Sequence, residues 1–328
     1  MKKDKGYHSL FPLCAVLILI CSFIYSEVNM PSNASENAGG GYSVWEREKD
    51  ILPFKKLIES AAPWNILGNI LNKTEDKPKE PNTQPIAQEI QIRNDTSFKI
   101  DAKELLAKDI NLQLDDEGVQ VIIMHTHGTE AYTPHGDDTY KASDEYRTLN
   151  EDQNVLRVGE ELRLALERYG IKTVHCTTLC DYPNYTGAYD RARETIEQQL
   201  EKYPNAKIVI DLHRDAVLTA SGGYYKATAE INGKNAAQIM FVVGTDGGGL
   251  SHPNWRDNMS FQLKIHAKLE ELYPGITRPI NVRASRFNQH FRTGSMLIEM
   301  GTCANYLEEA IYSAQLFADA LAEVLGKR

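Results

Sequence analysis

An α/β domain with a mostly parallel sheet is predicted for the greater part of this chain, and three observations predict it. Short apolar runs rich in β-branched residues recur at 119–124, 171–176, 206–212, 237–243 and 295–300. Between them lie stretches with apolar residues at helical spacing, at 154–169, 187–203, 259–273 and 306–325. The alternation is sustained across residues 98–328, a span that suits one domain. Strands that alternate with helices pack as a twisted parallel sheet with helices on its faces.

Each element follows from local chemistry. Lys2, Lys3 and Lys5 make residues 1–8 a basic start. The apolar run at 9–25, broken by Pro12 and Ser22, reads as a signal anchor that leaves the lysines in the cytoplasm and the rest of the chain outside. A cleaved signal peptide is the alternative and places the domain on the same side. Residues 26–97 read as a flexible stalk, since Pro31 to Gly41 cannot bury a core and 73–96 is rich in Lys, Glu, Pro and Asn. Within it, 42–72 carries Trp45, Phe54 and Trp64 and reads as a short ordered segment. In the domain, Val155, Leu156, Val158, Leu162 and Leu166 share one helix face that Gly170 closes. Asn232-Gly233 marks a hairpin turn after 224–231 that leads into the strand at 237–243.

Composition excludes some functions. The 328 residues carry a formal charge of -9, which argues against a general nucleic-acid binder. Cys14 and Cys21 sit in the apolar run. Cys176 and Cys180 either pair in an oxidising compartment or are buried thiols, and Cys303 is left over. Gly244 to Gly249 lacks both the Lys-Ser/Thr ending of a P-loop and the glycine order of a dinucleotide site, so it reads as a rim loop.

Chemistry concentrates at three strand ends. The run 121–124 stops at His125-Thr126-His127-Gly128-Thr129-Glu130, and ligands collect just past the carboxyl ends of strands in open α/β sheets. A second strand ends in Asp211-Leu212-His213-Arg214-Asp215, where extended backbone projects Asp211, His213 and Asp215 to one side. A third places Glu299 alone inside Met296 to Met300, and a buried carboxylate needs a partner or a purpose. Two imidazoles and a carboxylate suit zinc, which takes three protein ligands and keeps one position open. Desolvated, Glu299 would suit a general base for metal-assisted hydrolysis. His125 reads as a ligand, a support or a structural residue; Asp211 and Asp215 as groups that orient His213, with pairing to Arg214 the alternative for Asp215. Glu151 and Asp152, at the start of the first long helix, rival Glu130 as the carboxylate ligand. His135, His175, His252, His266 and His290 read as surface or loop residues.

These blocks also resemble a known family. His125-Thr126-His127-Gly128-Thr129-Glu130-Ala131-Tyr132, Asn154-Val155 with Val158-Gly159, Asp211 to Asp215, Asn288-Gln289 and Leu297-Ile298-Glu299-Met300-Gly301 are similar in order and spacing to the stage II sporulation protein P family. The resemblance implies a membrane-anchored, zinc-dependent peptidoglycan hydrolase with a Rossmann-like, amidase-like sheet. It implies an N-acetylmuramoyl-L-alanine amidase, with endopeptidase activity also attributed to the family; a wall-binding scaffold without turnover is the reading of another class. It implies work in forespore engulfment at the mother-cell membrane, beside the stage II sporulation proteins D and M. Carried over, His127 and His213 hold the metal with Glu130, or with Glu151 if the carboxylate comes from near the following helix as in the amidases; Glu299 is catalytic, and Arg214, Asn288 and Gln289 contact substrate.

Overall fold

The computed structural model describes residues 90–327, apart from 111, 113, 115 and 116. The expected basic start, anchor and ordered stalk segment lie outside the described residues. Among the described residues no helix is long and apolar enough to cross a membrane.

In chain order the strands are β1 (Ile92–Asn94), β2 (Val121–Met124), β3 (Thr173–His175), β4 (Ile208–Asp215), β5 (Thr228–Ile231), β6 (Lys234–Ala237), β7 (Ile239–Gly244), β8 (Ile280–Arg283) and β9 (Gly294–Thr302). The helices are α1 (Ala102–Ala107), α2 (Val155–Arg168), α3 (Ala188–Lys202), α4 (Trp255–Leu272) and α5 (Leu307–Val324). A seven-stranded sheet runs β1-β8-β7-β9-β4-β2-β3, and β5 and β6 form a separate hairpin. All neighbours in the large sheet are parallel except β7 and β9, so two parallel blocks meet back to back at that junction. The expected α/β architecture with a mostly parallel sheet is therefore present.

The alternation of strand residues sorts the two faces. Ile123, Ile210, Leu212, Phe241, Val282 and Ile298 join one large core with the apolar stripes of α2, α4 and α5. Each large aliphatic there contributes about 2 kcal/mol through burial. On the opposite face Ile122, Met124 and Val209 pack on Ala192, Ile196 and Leu200 of α3. Local signals place the helices: the Asn154 side chain accepts from the Leu156 amide and starts α2. Glu309 accepts from the Tyr306 amide at the start of α5.

Four features differ from the expectation. Residues 92–94, read as the end of the stalk, pair with β8 as an edge strand, since three residues are too few to show a period. β8 and the six-residue α1 are likewise too short to show a period in the sequence. The second hairpin strand is β6, and the backbone leaves it before entering β7 in the other sheet. Finally, the β4–β9 register shifts after His213: His213 faces Glu299, yet Asp215 faces Thr302. Gly301, at φ 75, takes up the extra residue, and a side chain there would meet Ala237 Cβ at 2.7 Å.

Candidate metal centre

Three strand ends converge as their sequence order implied. Met124 faces Asp211 across β2 and β4, and His213 faces Glu299 across β4 and β9. The chain leaves β2 through His125 to Gly128 and folds His127 over this edge. The His127 and His213 rings meet edge to face, 5.3 Å between centroids. His127 also stacks on Tyr185 at 4.5 Å, and its Nδ1 is buried without a hydrogen-bond partner. Burial lowers its pKa.

Glu130 is buried beside His213, its Oε2 at 3.5 Å from His213 Nδ1. It also accepts from the Arg214 amide at 3.1 Å, and Arg147 and Arg214 flank its other oxygen. Burial alone would raise its pKa; the Arg214 guanidinium and His213 override that and hold the carboxyl well below the usual range. On the other side of His213, Asp211 Oδ1 lies 2.8 Å from Nε2, near in distance but out of line for a hydrogen bond. Asp211 is fixed by the Thr126 amide and hydroxyl at 2.7 and 2.6 Å. Burial opposes a charge on His213, but Asp211 and Glu130 raise its pKa well above the ordinary value.

Glu299 stands half-buried in the wall of a cavity of about 470 Å³. Its Oε2 is closed off from water and has no partner. Desolvation pushes its carboxyl up to about 8, with Glu130 and Asp215 adding to the shift and His213 and Arg214 opposing it.

Other candidates stand elsewhere. His125 has both nitrogens engaged away from His127, with Nδ1 at 2.8 Å from the Leu212 carbonyl and Nε2 at 2.8 Å from His175 Nε2. It supports the loop from behind. α2 runs so close to this pair that a Cβ on Gly159 would meet both ring nitrogens, at 2.6 and 2.7 Å. Glu151 is exposed on a short 3-10 helix (Glu151–Gln153), so the buried carboxylate at the histidines is Glu130. The register shift turns Asp215 away from His213 and into an ion pair with Arg278 at 2.8 Å.

The three expected substrate contacts are tied to backbone instead. Arg214 is buried and donates to the Ala131 and Tyr146 carbonyls. Asn288 donates to the Tyr189 carbonyl. Both ends of the Gln289 amide are used, accepting from the Gly244 amide and donating to the Val242 carbonyl. These are chain-fastening roles that burial demands of polar groups. His252 lies in a loop, as one form of the expectation had it, but is buried at 0% exposed; His266 is 4% exposed within α4 and is neither a surface nor a loop residue. The Gly244 loop is pinned: a Cβ at Gly244 would meet the Arg286 carbonyl at 2.4 Å. Asp181 also belongs to this cluster: it is buried, accepts from Thr129 and Arg147, and lies 4.0 Å from His127. Lying in a Cys-Asp-Tyr-Pro loop, it left no periodic signal. Cys176, Cys180 and Cys303 are free thiols.

Among the described residues no three His, Cys, Asp or Glu groups converge to hold a metal ion as the side chains stand. The carboxylates of Asp211 and Glu130 flank the His213 ring, at 2.8 Å from Nε2 and 3.5 Å from Nδ1. The donor set nevertheless fits zinc. Two buried imidazole nitrogens, His127 Nδ1 and His213 Nε2, lack a hydrogen-bond partner, which costs about 1–3 kcal/mol for each such group.

A family profile described as Stage II sporulation protein P matches residues 42–322, most of the chain. The chain belongs to the stage II sporulation protein P family. The family member of Bacillus subtilis (strain 168) is 31% identical over 217 residues, covering 62% of this chain and 50% of that one. The chain thus spans about half the length of the curated relative it matches. Among solved structures, the N-acetylmuramyl-L-alanine amidase Ami1 of Mycobacterium smegmatis aligns at 12% identity and a TM-score of 0.35, over 64% of this chain and 98% of that one. The CwlD amidase of Clostridioides difficile, solved in complex with the GerS lipoprotein, aligns at 14% identity and a TM-score of 0.36, over 63% and 96%. Likeness at that level does not bear on the chemistry of this family member.

Proposed function

We propose that this protein is a zinc-dependent N-acetylmuramoyl-L-alanine amidase that degrades cell-wall peptidoglycan during forespore engulfment. The observation that carries the reading is the pairing of His213 with Glu299 across β4 and β9, with His127 facing His213 and Glu130 beside His213, in a sporulation-protein family member. His127, Glu130 and His213 would hold the metal. Zinc, when bound, supplies a Lewis acid that polarises an amide carbonyl and makes water acidic enough to ionise near neutral pH.

The chain's own groups do the rest. In its ionised form, which a carboxyl pushed up to about 8 reaches as pH rises toward that value, Glu299 takes a proton from the attacking water and delivers it to the departing alanine nitrogen. Thr126 locks the Asp211 carboxylate beside His213 Nε2, the nitrogen left for the metal, so Asp211 adds negative charge at that position. Arg214 keeps Glu130 ionised and so available as a ligand. Tyr185 lies flat on His127 and shields that ring from water.

In the same reading, residues 9–25 anchor the protein in the engulfing membrane with the catalytic domain outside the cytoplasm. The stage II sporulation proteins D and M are its partners there.

The test is digestion of purified peptidoglycan by the full chain, with mass analysis of the fragments. Peptides with a new N-terminal alanine are expected, and Glu299→Gln is expected to lower the rate by about 10²-fold to 10⁴-fold with the fold intact. Cuts within the peptide stems would make the enzyme an endopeptidase. Undiminished function in both His213→Ala and Glu299→Gln would make it a scaffold.

A further inference from the structure

The face of the sheet that carries the site is packed by α3 over β2 and β4. Farther along the same face, Met240, Val242 and Leu297 cluster with Phe287, and the cavity of about 470 Å³ opens over them. Register defines its floor. Asp211, Leu297, Val242, Asn281 and Arg93 stand side by side on β4, β9, β7, β8 and β1. Residues in such a row share a face. The neighbouring row is His213, Glu299 and Met240. The cavity therefore begins at Glu299 and leads away from the histidines.

Its lining is also charged and polar. Arg93 and Arg283 line it from β1 and β8, away from Glu299, and Arg278 lines it while reaching back to Asp215, a carboxylate of the same lining. One nitrogen of Arg278 pairs with Asp215 at 2.8 Å, but Nη1 is buried with no partner. Asn281 Oδ1 is buried and unmatched in the same wall. Arg283 and Arg93 share Asp95 at the rim, at 2.9 and 3.3 Å. A buried donor and a buried acceptor left open beside an apolar floor are the features of a ligand site.

The geometry points to a binding groove for an acidic peptide: its carboxylate meets Arg278 Nη1 and Arg283, and a backbone N–H meets Asn281 Oδ1. Charge complementarity selects the occupant, because a guanidinium recognises a carboxylate in preference to its neutral amide. The span also fits. From β9 to β1 is three strand spacings, about 14 Å, the reach of about four extended residues. Naming this peptide the stem of peptidoglycan, which carries free carboxylates, rests on the hydrolase reading above. The scissile nitrogen would then lie at Glu299 and the stem would run outward to the arginines.

The experiment is calorimetric titration of the full chain with a synthetic stem tetrapeptide, once with its carboxylates free and once with them as carboxamides. The free acid is expected to bind about tenfold tighter or more, the ratio that one charge-assisted hydrogen bond supplies. Arg278→Gln and Arg283→Ser are each expected to erode that preference and leave the carboxamide unaffected. Arg283 and its partner Asp95 are both exposed, so Arg283→Ser tests the groove even if loss of the Arg278–Asp215 pair disturbs folding. Equal binding of the two peptides, or a preference that both folded variants retain in full, overturns the groove. Binding needs no turnover. A chain that prefers the acid peptide but releases nothing from wall would keep the groove and lose the hydrolase.

Discussion

Replacing Gly159 with alanine sets two effects against each other. Gly159 lies within α2, where alanine is favoured over glycine by about 1 kcal/mol. Yet the new Cβ would meet His175 Nε2 at 2.6 Å and His125 Nε2 at 2.7 Å. Neither ring can retreat cheaply. His125 is held at the Leu212 carbonyl by 2.8 Å, and His175 is braced by Glu160 at 3.4 Å. Overpacking of this kind costs about 1–3 kcal/mol, and loss of the His125–His175 hydrogen bond about 1 kcal/mol more. The net is a destabilisation of about 1–3 kcal/mol, or roughly 2–12 °C in Tm for a domain of this size. Because His125 backs the loop that carries His127, wall hydrolysis should fall as well. Thermal unfolding followed by circular dichroism decides it. A Tm equal to or above that of the unmodified chain would show that helix propensity wins and that the histidine pair yields freely.

Gln289→Leu should lower stability by about 2–4 kcal/mol, since it strands the Gly244 amide and the Val242 carbonyl; a raised KM at unchanged Tm would instead restore Gln289 as a substrate contact. Chelation should abolish wall hydrolysis and leave the far-ultraviolet spectrum folded, because the charge of Glu130 is already compensated by Arg214 and His213; unfolding on chelation would refute this. His252 is fully buried, and burial, with His290 and Arg286 adding to it, lowers its pKa to about 4. Its contribution is complete above about pH 6.5 and is lost as pH falls toward 4, because only the unfolded chain takes up the proton in that window. His252→Gln should flatten the pH dependence of unfolding free energy by up to a few kcal/mol between those limits, and an unchanged slope would count against it.

What could be read in advance follows from pattern length and from side-chain partners. The long elements announce themselves: α2 shows several turns of one apolar stripe, and β2, β4 and β9 are apolar runs that stop at polar ends. His127, Glu130, His213 and Glu299 were legible because chemistry-bearing side chains interrupted those runs. β1 and β8 were not, since they are short and polar side chains at Arg93, Asn281 and Arg283 face the groove and look like loop residues. Arg214, Asn288 and Gln289 misled because a polar residue near a cleft reads alike whether it reaches for a ligand or for a carbonyl. Asp215 misled because one added residue in β9 breaks the alternation, and no pattern in β4 records it.

The antiparallel junction of β7 with β9 makes β9 the seam of the molecule. Everything that would bind metal hangs from one side of that seam, and the arginine-rich strands hang from the other. Glu299 stands on the seam itself and belongs to both. Changes on β8 or β1 can thus retune what the protein grips without touching the atoms that would cut. Two traits are stitched along a single strand and are free to diverge at different speeds.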